Sequence, residues 1–383
     1  MFIRVHPRQK YFLRKYMTTP TDIPPRWRLP LLACAIASLI LGVAAGLLRM
    51  GWRVPLPSFD LVMLHGPLMI AGFFGTVISL ERAVALARRW AYIGPLAAGA
   101  GGVALIVGAP LELGQWLLAT GSAVLLVASS WVFWRQRALF TFTLATGAGC
   151  WLIGNLLWLS GLSVSAIVPW WSGFLVLTIA GERLELSRFL PPSPGAKRVF
   201  AHILAILLAG MTSATLTPRI GTLIFGAALL ALAVWLLRQD IARRTVKEKG
   251  LTRYIAVCLL TGYVWLALSG AIILAAGGLA QGGLAYDAAV HALMLGFVFS
   301  MVFGHAPIIF PAVARVAMPY HPLFYVPLVL LHGSLALRLA GDLAANADWR
   351  SLGGAGNALA LAVFILTVIS ALLRGRLSQR THA

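Results

Sequence analysis

The sequence predicts an all-α polytopic membrane protein of twelve transmembrane helices, arranged as three pseudo-repeated four-helix arcs with both termini inside. Three observations carry that reading. Of 383 residues, 60% are apolar and only 11% charged, with a mean hydropathy of +0.87, far outside the balance of a soluble domain. Apolar runs long enough to cross a bilayer recur along the whole chain. The basic residues fall on alternate connections, as the positive-inside rule requires.

The first 28 residues carry seven Lys and Arg, from Arg4 to Arg28, with no small-residue cleavage site after the first apolar run. Residues 1–28 are expected to form a basic cytoplasmic tail, not a signal peptide. Apolar runs then follow at 29–48, 59–80, 91–109, 113–134, 138–160, 167–181, 199–217, 220–237, 254–276, 287–309, 322–340 and 352–373. The sixth is short unless it continues through Glu182. At about 20 residues per span, nothing is left over for a soluble domain. Of the 31 Lys and Arg, 26 fall on the seven inner segments, and only Arg49, Arg53, Arg219, Arg338 and Arg350 lie near the outer side.

That distribution also explains the net charge of +20. The positives are spread over every inner segment and accompany no base-stacking module, which excludes nucleic acid as a partner. The expected partner is the lipid bilayer, and the expected location is an inner (cytoplasmic) membrane of bacterial type. Cys34, Cys150 and Cys258 all lie inside apolar runs, so no disulfide framework or CxxC metal site is present. Trp52, Trp90, Trp116, Trp134, Trp170, Trp171 and Trp349 fall near span ends and are expected to form an aromatic belt. The Gly-rich stretches at 99–102 and 277–283 follow no strand, and no Walker motif, HExxH or Ser-His-Asp spacing occurs.

The repeat is read from spacing. Gly72 precedes Glu81-Arg82 by nine residues, Gly173 precedes Glu182-Arg183 by nine, and Gly296 precedes His305 by nine. In each unit's first helix a cysteine stands four residues before a small residue, as Cys34 before Ser38, Cys150 before Gly154 and Cys258 before Gly262. The units are 29–137, 138–250 and 251–383. An even number of helices per unit points all three the same way, about a pseudo-threefold axis along the membrane normal.

Ionisable groups at membrane depth are costly and therefore mark candidate sites. His65 follows Asp60 by five residues and His291 follows Asp287 by four, at the outer starts of helices 2 and 10. Both then lie roughly 6 to 8 Å below the outer interface. Two imidazoles at one depth on corresponding helices suit axial ligation of haem iron. The alternative is a pair of interhelical histidines bonded to carbonyls or to the aspartates.

The string His65-Gly-Pro-Leu-Met-Ile with its following Gly/Phe run resembles the second-helix motif of subunit I of the haem-copper oxidases. The chain is also similar to the NnrS-type membrane proteins, haem- and copper-containing relatives linked to nitric oxide stress. The resemblance covers the whole chain as architecture, but motif similarity is confined to helices 2 and 10. It implies a low-spin haem b held by His65 and His291. It does not extend to oxygen reduction, because helix 6 has no histidine, helix 7 has only His202, and positions 289 and 293 are Ala and Leu.

His305 lies 14 residues, or about 3.9 α-helical turns, after His291, so it is expected on the same face about 21 Å away. It suits either a second haem, with His202 as partner, or a polar ring with Glu81, Glu182, Arg82 and Arg183 lining a proton or ion path. The ordinary alternative is that each Glu-Arg pair closes a helix end. His332 sits mid-membrane on helix 11, to ligate copper or to bridge helices by hydrogen bonds. Arg338, Arg53 and Arg350 are the outer cations available to haem propionates.

The expected function is haem b binding for electron transfer or for nitric oxide and redox handling. The alternative is a copper or proton permease built on the intramembrane His and Glu residues. An electron-transfer partner or a quinone is implied, although no residue pattern locates its site.

Overall fold

The computed structural model describes residues 22–54, 59–187, 195–279 and 283–380; the basic tail up to residue 21 lies outside them. Among the described residues the chain is helical and contains no strand. This follows from the solvent, because in hydrocarbon each backbone N–H and C=O must find its partner within the protein. The helices are α1 Leu29–Arg49, α2 Leu61–Leu86, α3 Ile93–Ile106, α4 Leu111–Arg135, α5 Leu139–Leu159 and α6 Val164–Ser187. They continue as α7 Ala196–Leu216, α8 Pro218–Gln239, α9 Gly250–Ala275, α10 Leu284–Val313, α11 Pro322–Leu343 and α12 Ala347–Arg380.

Eleven of these are long and apolar enough to cross a membrane. The exception is α3, where the expected run at 91–109 yields 14 residues of α-helix after a 3₁₀ turn at Arg89–Tyr92. The sixth run does continue through Glu182, as α6 ends at Ser187.

Burial ranks the helices. Between 61 and 72% of the most apolar stretch is buried in α2, α6 and α10, against 33 to 56% in the other crossing helices. Every fourth helix is therefore an inner one, and α10 touches both α2 and α6. The ring around them closes where α12 meets α1, joined by Trp52 Nε1 donating to the Ser351 carbonyl at 3.1 Å.

Small residues set the close approaches, as expected where lipid is as apolar as the side chains and packing must drive association. A Cβ on Gly102 of α3 would lie 2.5 Å from Ser38 Oγ of α1 and 3.4 Å from the Gly72 backbone of α2. The other two glycines of the repeat are equally confined, Gly173 against Met211 and Gly296 against Trp265.

Two features depart from regular expectation. Both α2 and α10 contain a π-helical segment, Leu68–Phe74 and Ala292–Phe299, just after their histidines. And Trp170 and Trp171 are buried, not interfacial. The nearby Pro169 lies inside α6, so the helix runs on through this level and turns both indoles into the protein. Trp170 Nε1 donates to Thr215 and Trp171 Nε1 to Asn155, each at 3.0 Å. The other five belt tryptophans are 37 to 69% exposed, as a belt requires.

Overpacking a tight contact costs about 1 to 3 kcal/mol. Gly102→Val should destabilise the detergent-solubilised protein by that amount, read as a lowered thermal midpoint, whereas Gly333→Ala, with nothing within 4 Å of the added carbon, should leave the midpoint unchanged.

Candidate functional site

The structure brings His65 and His291 together from α2 and α10. Their ring centres are 6.2 Å apart and their planes differ by 22°. His65 Nδ1 lies 2.7 Å from the Gly42 carbonyl of α1, and His291 Nδ1 lies 2.8 Å from the Asp287 carbonyl and 3.3 Å from Asp287 Oδ1. A carbonyl only accepts, so each Nδ1 carries the proton and donates it. In a neutral ring so held the lone pair is on Nε2, and neither Nε2 meets a hydrogen-bond partner among the described residues. Tying down one ring nitrogen to present the other is how proteins orient metal-bound imidazoles.

Gly46 makes room for this. A Cβ there would fall 2.9 Å from both Cε1 and Nδ1 of His65, so the ring lies flat against a bare stretch of α1. Gly42 and Gly46 are four residues apart on one helix face. That small-residue pair was the available sequence signal for the His65 cradle.

An ion network supports the His291 side. Arg338 Nη2 donates to Asp287 Oδ2 at 2.9 Å, Arg350 Nη2 lies 3.5 Å from the same oxygen, and Arg350 Nε lies 2.9 Å from buried Asp342 Oδ1. Arg338 is therefore engaged by Asp287, and Arg350 is shared between two carboxylates. Arg53 is exposed, and the arginine of α1 that interacts electrostatically with His65 is Arg49. The link from α10 to α11 and α12 through Asp287 was invisible in sequence because its partners lie more than 50 residues away.

Two imidazoles with ring centres 6.2 Å apart, each with Nδ1 on a carbonyl, form a candidate pair for a shared ligand or metal ion. Below the pair, Phe73, Phe74 and Phe299 pack on one another with ring centres 4.8 to 6.1 Å apart.

The other membrane histidines are occupied. His332 Nδ1 accepts from Trp265 Nε1 at 2.8 Å and its Nε2 donates to Thr261 Oγ1 at 3.1 Å. His305 Nδ1 donates to the Met301 carbonyl at 2.7 Å and its Nε2 accepts from Arg183 Nη2 at 3.0 Å. His202 is exposed, with Nδ1 on the Arg198 carbonyl. Neither His305 nor His332 presents a free nitrogen, and among the described residues no group of three or more His, Cys, Asp or Glu side chains is placed to hold a metal ion.

Glu81, Glu182 and His305, the matching slots of the three units, do meet. They line a cavity of about 320 Å³ in the half of the bundle away from His65 and His291. No ion pair within 4 Å joins either glutamate to its neighbouring arginine among the described residues. Successive residues on a helix diverge by roughly 100°, and Arg183 turns instead to His305.

The model of a family described as a domain of unknown function (DUF8744) matches residues 28–373, and the chain belongs to that family. No curated protein and no solved structure matches the chain.

Removing one partner of a buried ion pair costs about 3 to 5 kcal/mol. Arg338→Met should therefore destabilise the protein by roughly the lower figure, since Arg350 still reaches Asp287, and Arg338→Met with Asp287→Asn should recover part of the loss in thermal melts.

Proposed function

We propose that this member of the DUF8744 family holds a haem b between His65 and His291 and handles electrons, or nitric oxide, without reducing oxygen. The protein is taken as twelve spans with N and C termini inside, in an inner membrane of bacterial type. Its three four-helix units place α2, α6 and α10 at the centre.

The observation that carries the reading is the facing imidazole pair, with both Nδ1 protons tied to carbonyls and both Nε2 atoms free. A bound haem would supply one-electron redox chemistry at this level. With His65 and His291 both holding the group, electron transfer or redox sensing would suit the site better than gas binding. The nitric oxide aspect rests on the resemblance to the NnrS-type proteins alone.

In this reading the surrounding residues have separate tasks. The Gly42 carbonyl fixes the tautomer and rotation of His65, and Gly46 lets the ring reach its place. Asp287 does the same for His291 and raises its basicity as a ligand. Arg338 and Arg350 hold the Asp287 carboxylate in position, and Arg49, which interacts electrostatically with His65, is a cation available where propionates would sit. Phe73, Phe74 and Phe299 keep water from the inner side of the site.

The second reading, a copper or proton permease, is favoured by the meeting of Glu81, Glu182 and His305 at one cavity. It is the weaker one, because apart from Thr178 the rest of the cavity wall is apolar.

The test is a reduced-minus-oxidised optical spectrum of the purified protein expressed with ample haem supply. Low-spin b-type bands are expected in the wild type, lost in His65→Ala and in His291→Ala. Gly46→Val, which crowds the His65 ring, should shift the signal toward a high-spin form. A colourless wild type, or bands unchanged in both alanine variants, overturns the proposal.

A further inference from the structure

The cavity walled by Glu81, Glu182 and His305 is separate from the histidine pair, since neither His65 nor His291 lines it. It is bounded by α1, α2, α6, α10 and α12, and its volume of about 320 Å³ falls in the range of small-molecule pockets. Along α12 its wall runs from Leu361 to Leu372, roughly 16 Å at the α-helical rise. A compact space of that volume would be much shorter, so the cavity is elongated.

Hydrocarbon dominates the wall. His305 and Thr178 line it, but His305 spends its ring nitrogens on the Met301 carbonyl and Arg183, and Thr178 donates to the Phe174 carbonyl. Glu81 and Glu182 are the last cavity residues of α2 and α6 on the side away from the histidines. Between them and Phe73, Phe74 and Phe299 the lining consists of side chains such as Ile78, Leu175, Val298, Val302 and Phe364. Water finds almost no partners along such a stretch and stays out. Left empty, the space deprives its lining of dispersion contacts. The favoured occupant is therefore apolar, and the bilayer around the bundle supplies one.

The two ends are closed. Toward the histidines, Phe73, Phe74 and Phe299 come from the π segments and pack on one another. At the opposite end, cavity residues Leu80 and Val313 pack with Leu31, Ala91 and Tyr92. A clasp locks this plug: Arg28 donates to the Val313 carbonyl at 3.0 Å and to Asp22 at 2.6 Å, and Tyr92 donates to Asp22 at 2.7 Å.

The side between α1 and α12 is different. These helices meet beyond the phenylalanine end, where Trp52 donates to the Ser351 carbonyl and Gly354 packs against Met50. At the clasp end they are tied to α10 or to the loop after it, α1 through Arg28 on the Val313 carbonyl and α12 through Gly375 against the Ala317 carbonyl. Between these ties Leu32 and Ile36 of α1 and Ile365 of α12 line the cavity half-buried, and Ile369 lines it while 46% exposed.

We propose that the gap between α1 and α12 is a lateral portal through which one acyl chain of a bilayer phospholipid enters and fills the cavity, its terminal methyl against Phe73, Phe74 and Phe299. A chain leaving the bilayer exchanges one hydrocarbon environment for another, so its gain is the packing that empty space forfeits.

The experiment is photolabelling of the full-length protein in phosphatidylcholine nanodiscs doped with a phosphatidylcholine that carries a diazirine near the end of one acyl chain, with labelled residues mapped by mass spectrometry. Chains in the surrounding bilayer should label surface positions such as Val234 of α8, which is 41% exposed. The bound chain should add label at Leu175 and Ile179 of α6, which line the cavity and are only 1% and 8% exposed. Ile36→Trp and Val302→Trp, each placing an indole in the wall, should abolish the α6 label and leave that at Val234 in place. Absence of label at Leu175 and Ile179 in the wild type overturns the proposal, as does α6 label that both tryptophan variants leave unchanged. So does a diazirine-bearing geranylgeraniol that labels α6 where the phospholipid does not, which would make the occupant an isoprenoid. Should the tryptophan variants fail to fold, the wild-type label at Leu175 and Ile179 decides alone.

Discussion

In hydrocarbon an unpaired polar group costs several kcal/mol, and the organisation of this protein follows from how few such groups it contains and how it pairs them. The chain is helical because the backbone has no other way to satisfy itself. Its interior side chains obey the same constraint across helices: Trp171 reaches Asn155, Trp265 reaches His332, Tyr263 reaches Asp240, and Arg183 reaches His305. Each contact joins two helices, so the polar residues serve as fasteners between elements that lipid alone would not hold together. Against that background the exceptions stand out. Ser38 Oγ, Thr76 Oγ1, Ser79 Oγ and Trp151 Nε1 are buried without a partner among the described residues, and the Nε2 atoms of His65 and His291 and the carboxylates of Glu81 and Glu182 are also left open, at two levels near opposite ends of α2 and α10.

The two levels share a scaffold. Both are built on α2 and α10, the outer level from their beginnings and the inner level from their ends, with a phenylalanine layer between. The inner position of these helices is secured by glycines that admit a neighbouring helix to near backbone contact, such as Gly72 and Gly102 around Ser38. The rigidity needed to face two imidazoles at a fixed separation comes from these contacts, and α6 completes the centre without contributing to the outer level.

Much of this was legible in the sequence, for physical reasons that can be named. Depth in a membrane is counted in residues from a helix end, so His65 and His291 could be placed at one level without knowing the packing. The recurrence of Glu81, Glu182 and His305 at matched positions anticipated their meeting. What could not be read was direction. Whether Arg183 turns to Glu182 or to His305, and whether His332 is free or bridged by Trp265 and Thr261, depends on helix rotation. Spacing within one helix does not encode that rotation against its neighbours. Trp170 and Trp171 were assigned to the interface by depth alone, when the face of α6 they occupy is an inner one. That the regular α-helical part of α3 is only 14 residues long was not legible either, because its glycine- and alanine-rich run is apolar throughout.

The π segments bear on how position is measured along this chain. A π turn takes up one residue more than an α turn while leaving the flanking helix in place, so helical phase counted straight through Leu68–Phe74 or Ala292–Phe299 drifts by a residue. The 14 residues from His291 to His305 do not amount to 3.9 regular turns, and the shared face read from them does not follow. The outer and inner halves of α2 and α10 thus run on two separate scales, offset like a ruler with one graduation inserted. The uninterrupted α6 keeps a single scale. An alignment of related chains made on hydrophobic periodicity alone would match either the histidines or the lower polar residues, and would need a one-residue gap in these two helices to match both.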